Sequence, residues 1–303
     1  MKTLGICTKF QNFSIMNFEK QALYTEAKEQ FDEVLLIDTR SVSYQFIRGH
    51  QNPIIIYMKR NISDLSILHV RSTKNREAST AILVHSLSLC GCKIFDPLER
   101  FSIGYASKLL TELGRFKKGI GIDSFIAFNI ENTLELLQNL ESLNAYPLIA
   151  KPIAGRLGFG IERLSNYKKA KQFAETFFSR IENVDIPIFI QRFKDFRREF
   201  RVLVINGESL AVVQKEHPTK GITVNAAQGA VFKSVNRPDI AKFTIENTSK
   251  EGILGVDVAE DSGGELYIIE ANRAPLWRNF ELATGINVAQ YLIKQSLTRL
   301  SIL

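Results

Sequence analysis

The chain has only three cysteines among its 303 residues, too few for a disulfide framework. Cys90-Gly91-Cys92 is the close pair, and no second pair or neighbouring histidine completes a zinc site. Small apolar residues near a helix end and a strand start are the plainer reading. No apolar run approaches the roughly 20 residues that span a bilayer, so no membrane association is expected. The first residues turn polar too quickly for a secretory signal, and a cytoplasmic location is the default expectation. Repeats and low-complexity tracts are also missing. The formal net charge is +7, but Lys and Arg are scattered and form no block interleaved with aromatics. Nucleic acid is therefore disfavoured as the principal partner. An anionic small molecule or an acidic peptide explains the charge equally well.

What is present is an ordinary globular balance, 45% hydrophobic and 23% charged, on a chain long enough for two or three packed lobes. The first third alternates strands (3–7, 33–37, 53–58, 65–70) with helices (18–31, 79–89), which predicts a mostly parallel sheet covered by helices. Leu23, Ala27 and Phe31 fall on one stripe of the first helix. Pro97 marks a boundary. A helix over 106–116 leads into a small α+β unit: strand 124–128, helix 133–143, strand 146–152, a glycine-bearing loop and helix 167–181. Strands 187–191, 199–205, 209–215, 252–259 and 266–271 then predict a largely antiparallel sheet. Asn206-Gly207 is a hairpin signal, Gly263-Gly264 a turn, and helix 288–300 closes the chain.

Three constellations carry chemistry. Glu270 and Asn272 end an apolar strand two residues apart, so their side chains share one side. Asp257 sits in an otherwise apolar strand, where a lone charge is costly unless paired or bound to metal. Hard oxygen donors of this kind suit Mg²⁺, and an ion pair with Arg or Lys is the competing reading. Lys151 ends a strand that runs into a loop containing Gly155, Gly158 and Gly160, where backbone N–H groups can approach phosphate. The spacing fits neither a Walker loop nor a dinucleotide fingerprint. Finally, Glu199 and Arg201 share one strand face, and a forked guanidinium suits a transferred phosphate or a cross-strand acid.

In this order the pieces resemble the ATP-grasp superfamily, and within it the RimK-like ligases, from about residue 107 to 300. The similarity rests on Pro147-Leu148-Ile149-Ala150-Lys151-Pro152, Ile188-Phe189-Ile190-Gln191-Arg192-Phe193, Glu199-Phe200-Arg201, Gly255-Val256-Asp257, Glu270-Ala271-Asn272 and Thr284-Gly285-Ile286-Asn287. It implies an α/β (α+β) ATP-grasp fold: a parallel pre-grasp domain (1–96), a central lid (97–186) and a C-terminal antiparallel-sheet domain (187–303). It further implies ATP with magnesium, or manganese in its place, at Asp257, Glu270 and Asn272. Lys108 and Lys151 would be the ATP lysines. Gln191, Arg192 and Phe193 would line the adenine pocket, Glu199 would sit near the ribose, and Asn225 near phosphates or metal. Arg201, Lys151 and Lys215 would serve catalysis. The implied reaction joins a carboxylate to an amine of an amino acid, peptide or protein through an acyl phosphate, releasing ADP and phosphate. A peptide-tailoring ligase making amide or ester crosslinks in a ribosomal precursor, and a kinase of the same fold, are the alternatives. Self-association would be usual for such a relative.

The chain departs from the family on the substrate side. Gln214-Lys215-Glu216-His217 replaces an arginine-rich strand end, Thr223 replaces a further arginine, and residues 273–280 replace a glycine-containing turn. Lys215, Arg273, Trp277 and Arg278 are the substrate candidates there.

Overall fold

The computed structural model describes residues 1–9, 13–71, 76–101, 106–152, 161–180, 186–216 and 231–301. For residues 106–108 and 152 it describes the backbone alone. Among the described residues no helix is long and apolar enough to cross a membrane.

The first lobe contains β1 (Thr3–Cys7), α1 (Phe18–Gln30), β2 (Glu33–Ile37), β3 (Val42–Gln45), β4 (Ile54–Tyr57), β5 (Arg60–Asn61), β6 (Ile67–Val70), α2 (Glu77–Leu89) and β7 (Lys93–Ile94). Its main sheet has the order β2-β1-β6-β7 and every pairing is parallel, as the strand–helix alternation predicts. β1 and β6 are buried along their whole length, the condition of parallel strands covered on both faces. The small antiparallel sheet β3-β4-β5 is an addition that the sequence reading did not foresee beyond β4.

The central unit comprises α3 (Ala106–Lys117), β8 (Ser124–Ala127), α4 (Ile130–Ser142), β9 (Leu148–Pro152), β10 (Glu162–Leu164), α5 (Tyr167–Phe178) and β11 (Ile188–Arg192). β11 was expected to open the last domain. It pairs instead with both β8 and β9 and lies inside the central sheet, order β10-β9-β11-β8. Its alternating side chains supply the reason. Ile188 and Ile190 complete the core under α4 and α5 with Leu148, Ala150, Leu137 and Ala174. The expected break at 186/187 therefore falls one strand too early.

The last unit is β12 (Phe196–Ile205), β13 (Glu208–Glu216), β14 (Val231–Val235), α6 (Pro238–Asn247), β15 (Ile253–Asp261), β16 (Leu266–Asn272), α7 (Arg278–Thr284) and α8 (Val288–Ser301). Its antiparallel sheet has the order β14-β13-β12-β15-β16. Asn206 and Gly207, at φ 49° and 82°, close the β12–β13 hairpin in the left-handed conformations this pair favours. The reading missed β14, α6 and α7. Each is short, and α7 falls in residues taken for a substrate-choosing turn.

Strand parity divides this sheet. Phe200, Val202, Val204, Val212, Leu254, Val256 and Val258 point to one face and pack with Ile240 of α6. The other face is apolar at one end, where Leu203, Ile205, Val213 and Ile253 share a core with Leu4, Ile6 and Leu23 of the first lobe and with Trp277, Phe280, Leu292 and Ile293. The first and last thirds are thus welded by a common core. We expect one cooperative unfolding transition for both. Phe280→Ala, at a fully buried side chain, should cost about 3–5 kcal/mol of stability in denaturant titration.

Candidate active site

At its other end the same face of the C-terminal sheet is charged. Glu199 lies opposite Lys215, Arg201 opposite Asp257, and Asp257 opposite Glu270. Directly opposed residues on antiparallel strands share a face, so four strands deliver five charges to one surface. Asp257, 6% exposed, accepts from Arg201 Nε at 2.5 Å and from Arg201 Nη2 at 2.9 Å. Lys215, also 6% exposed, lies 2.8 Å from Asp257 Oδ1 and 4.0 Å from Glu199. Burial alone would raise the Asp257 carboxyl; Arg201 and Lys215 overcome it and hold the group down at about 2. The ion-pair reading of Asp257 is therefore realised. Oδ2 accepts from one N–H among the described residues, which leaves a lone pair for a further cation.

A bulge aims Glu270. By simple alternation Ile268 and Glu270 would share a face. The register shift next to Asp257 in β15 leaves Ile269 without a partner. Ile268 joins the apolar core opposite Val258, and Glu270 turns to the charged face opposite Asp257. Asn272, opposite Gly255, keeps the parity of Glu270 as expected. Two carboxylates facing each other are destabilising unless positive charge lies between them, and Arg201 responds to both. The hard oxygen set of Asp257, Glu270 and Asn272 suits a magnesium ion at this end of the face.

The central sheet supplies the facing wall. Opposite the side covered by α4 and α5 it carries Ile149, Lys151, Phe189 and Gln191. Lys151 Nζ donates to Gln191 Oε1 at 2.7 Å, and Gln191 Nε2 donates to Ser124 Oγ at 2.9 Å. Burial lowers the Lys151 ammonium, and Glu112, Glu270 and Glu199 counter it. The lysine of one sheet thus faces the carboxylates of the other. Gln191 is buried, whereas Arg192 is exposed and 3.6 Å from Asp123. The main chain of the hinge is anchored: Arg192 N donates to Asp123 O at 2.9 Å and Phe193 N to Pro147 O at 3.0 Å. Arg163 stacks on the Phe193 ring at 4.3 Å.

The sequence reading missed Glu112 and Arg115, which pair with each other on α3. Arg115 Nη1 donates to Ile269 O, the carbonyl of the bulge, at 3.5 Å. Burial raises the Glu112 carboxyl, against the pull of Arg115 and Lys151. A signal was available, because Lys108, Glu112 and Arg115 follow the i, i+4, i+7 spacing of one helix face. The Lys108 side chain, and Gly155, Gly158, Gly160, His217, Thr223 and Asn225, lie outside the described residues.

The substrate candidates beyond Asn272 divide differently. Trp277 is fully buried, so it floors no open pocket. Arg273 donates to Glu251 O, away from the charged face. Arg278 is exposed and lies over Phe18 of α1, 5.6 Å from its ring. These three fasten the turn to its surroundings, and Lys215 alone of the four belongs to the charged face. Cys92 is buried, and burial raises its thiol strongly; among the described residues no group of three or more His, Cys, Asp or Glu could hold a metal. The oxygen set above includes an asparagine.

A family profile for the RimK-like ATP-grasp domain matches residues 108–296, more than half of the chain. The alpha-aminoadipate–LysW ligase LysX of Sulfurisphaera tokodaii is 25% identical over 290 residues, covering 93% of this chain and 95% of that protein. The probable alpha-L-glutamate ligase 2 of Shewanella amazonensis is 25% identical over 265 residues, covering 82% and 86%. Among solved structures, the ATP-grasp ligase PsnB complexed with minimal precursor, Mg and ADP is similar with a TM-score of 0.69 at 12% identity, covering 99% of this chain and 97% of that one. That last likeness concerns the fold. The chain belongs to the RimK-like ATP-grasp family and is an ADP-forming ligase of the carboxylate–amine type.

Proposed function

We propose that ATP lies between the central and C-terminal sheets, with its phosphates toward Lys151 and Arg201 and a divalent cation, magnesium first, held by Asp257, Glu270 and Asn272. The observation that supports this reading most is the opposition of Lys151, on one sheet, to the Glu199, Arg201, Lys215, Asp257 and Glu270 face of the other. The metal, when bound, neutralises phosphate charge. Lys108 and the loop bearing Gly155, Gly158 and Gly160 complete the phosphate contacts, with Asn225 beside them. Gln191, Arg192 and Phe193 bound the adenine end, the last two through main-chain groups, and Glu199 stands by the ribose.

The chain's own residues then act as follows. Arg201 uses Nε and Nη2 on Asp257, so Nη1 is the donor it keeps for a transferring phosphoryl group. Lys215 meets Asp257 at Oδ1, the oxygen it shares with Arg201 Nε, and carries charge toward the acid substrate. A carboxylate oxygen of that substrate attacks the γ-phosphorus and ADP leaves. An amine then attacks the acyl carbon, the C–O bond breaks, and phosphate departs with the carboxylate's oxygen. The substrate acid belongs to an amino acid or a peptide, the class to which the aminoadipate and glutamate ligases point by name.

Glu270→Gln should reduce ADP formation by about 10²-fold or more with the fold retained; full ADP release by this variant would remove the metal assignment. Asp257→Asn should fail likewise and also lose about 3–5 kcal/mol of stability, because Arg201 and Lys215 keep buried charge without a counter-ion. An ¹⁸O label in the substrate carboxylate should appear in released phosphate by mass spectrometry, and its retention in the amide product alone would exclude the acyl phosphate. The depressed Asp257 carboxyl stabilises the fold fully above about pH 4. That contribution is lost as pH falls toward about 2. The acid limb of a thermal-melt series should therefore be shallower in Asp257→Asn.

A further inference from the structure

Helix α3 is built inside out. Its apolar side chains Leu110, Leu113 and Phe116 are exposed, the last by 78%. The side chain it buries most among the described residues is Arg115, 6% exposed. Glu112, one turn earlier, pairs with Arg115 Nη1. A helix seated by the hydrophobic effect shows the opposite pattern. Apolar side chains of like volume often replace a buried ion pair with no loss of stability, so such a pair is a poor fastener. Its better-attested use is to fix one geometry.

The geometry within its reach is the bulge of β16. Arg115 Nη1 also donates to Ile269 O at 3.5 Å. Ile269 is the residue that the register shift leaves unpaired between Ile268 and Glu270. β16 ends the strand order of its sheet, so among the described residues no further strand holds the bulge from outside. A bulge bends its strand and re-aims the side chain beside it. Here that side chain is Glu270, and a slip of one residue would carry its carboxylate toward the apolar face. Burial lowers the Arg115 guanidinium, and Glu112 and Glu270 counter it. Arg115 therefore stands within the field of the carboxylate that the bulge aims.

We propose that Arg115 is a positioning residue for the metal site: it clamps the Ile269 carbonyl and through that bulge aims Glu270 at the cation shared with Asp257 and Asn272. Glu112 holds the guanidinium in place and cancels its charge. The cancellation matters, because an uncompensated guanidinium this close would repel a divalent cation. The pair thus contributes geometry to the site with little net field. Partners that orient metal ligands typically account for about 10- to 100-fold in metal affinity. The inference rests on the metal assignment proposed above and adds what keeps one of its ligands aimed.

The test uses the full chain with a non-hydrolysable ATP analogue, the protein in excess over the analogue. Mn²⁺ is the paramagnetic probe, and its binding is read from the loss of the free-ion electron paramagnetic resonance signal. The central variant combines Glu112→Leu with Arg115→Met and so removes both charges at once. It should melt no lower than wild type and bind Mn²⁺ about 10- to 100-fold more weakly. Arg115→Lys keeps the charge but loses the fork, and should weaken Mn²⁺ by a smaller factor. Wild-type Mn²⁺ affinity in the double variant overturns the inference at any melting temperature, since the pair is then only an anchor of α3. If the double variant melts well below wild type with weakened Mn²⁺, or does not fold, Arg115→Lys decides, and wild-type affinity there overturns the inference. Glu270→Gln separates the two readings. Wild-type affinity in Glu270→Gln, or no Mn²⁺ bound by wild type, brings down the metal assignment and this inference with it. A weakened Glu270→Gln beside unaffected α3 variants brings down this inference alone.

Discussion

One buried carboxylate organises the chemistry of this protein. Asp257 lies in a strand whose neighbours Val256 and Val258 are wholly inside the core. A charge there is tolerable only with close counter-ions. Arg201 meets that requirement from the adjoining strand β12 and Lys215 from β13 beyond it, and each is delivered by strand register, not by a loop. Because β-strand side chains alternate, fixing those cations on one face also fixes Glu199 beside them and sends Phe200 and Val202 to the opposite core. The charged face and the apolar face are therefore two outcomes of one register.

Much of this was legible in the sequence, and the legible parts have a common character. The stripe Leu23, Ala27 and Phe31 is buried, the Asn206-Gly207 hairpin is present, and Glu270 and Asn272 share a face. Each depends on a local period or a local turn preference. What escaped depends on contacts between distant segments. The partner of Ile188–Arg192 could not be read from its composition, because an apolar strand fits either sheet. The bulge at Ile269 leaves no local mark, yet without it Ile268 and Glu270 would compete for one side. Trp277 is a substrate candidate by its place five residues beyond Asn272, but it lies in the core shared with residues of the first lobe.

The placement of α3 joins these levels. Its spacing signals a helix, but only the tertiary structure brings Arg115 against the carbonyl of Ile269 and Glu112 near Lys151. A helix outside both sheets thus reaches the irregular point of β16, and its Glu112 acts electrostatically on the lysine of β9.

The shared core has a consequence for how the chain is made. β1 and α1 are synthesised first, but Leu4, Leu23 and Ala27 pack on Leu292 and Ile293 of α8. Glu19 likewise waits for the amides of Trp277 and Arg278. At roughly 5–20 residues per second, a ribosome leaves that apolar surface uncovered for some tens of seconds. The nascent first lobe is therefore a natural client for chaperones until α8 has left the ribosome.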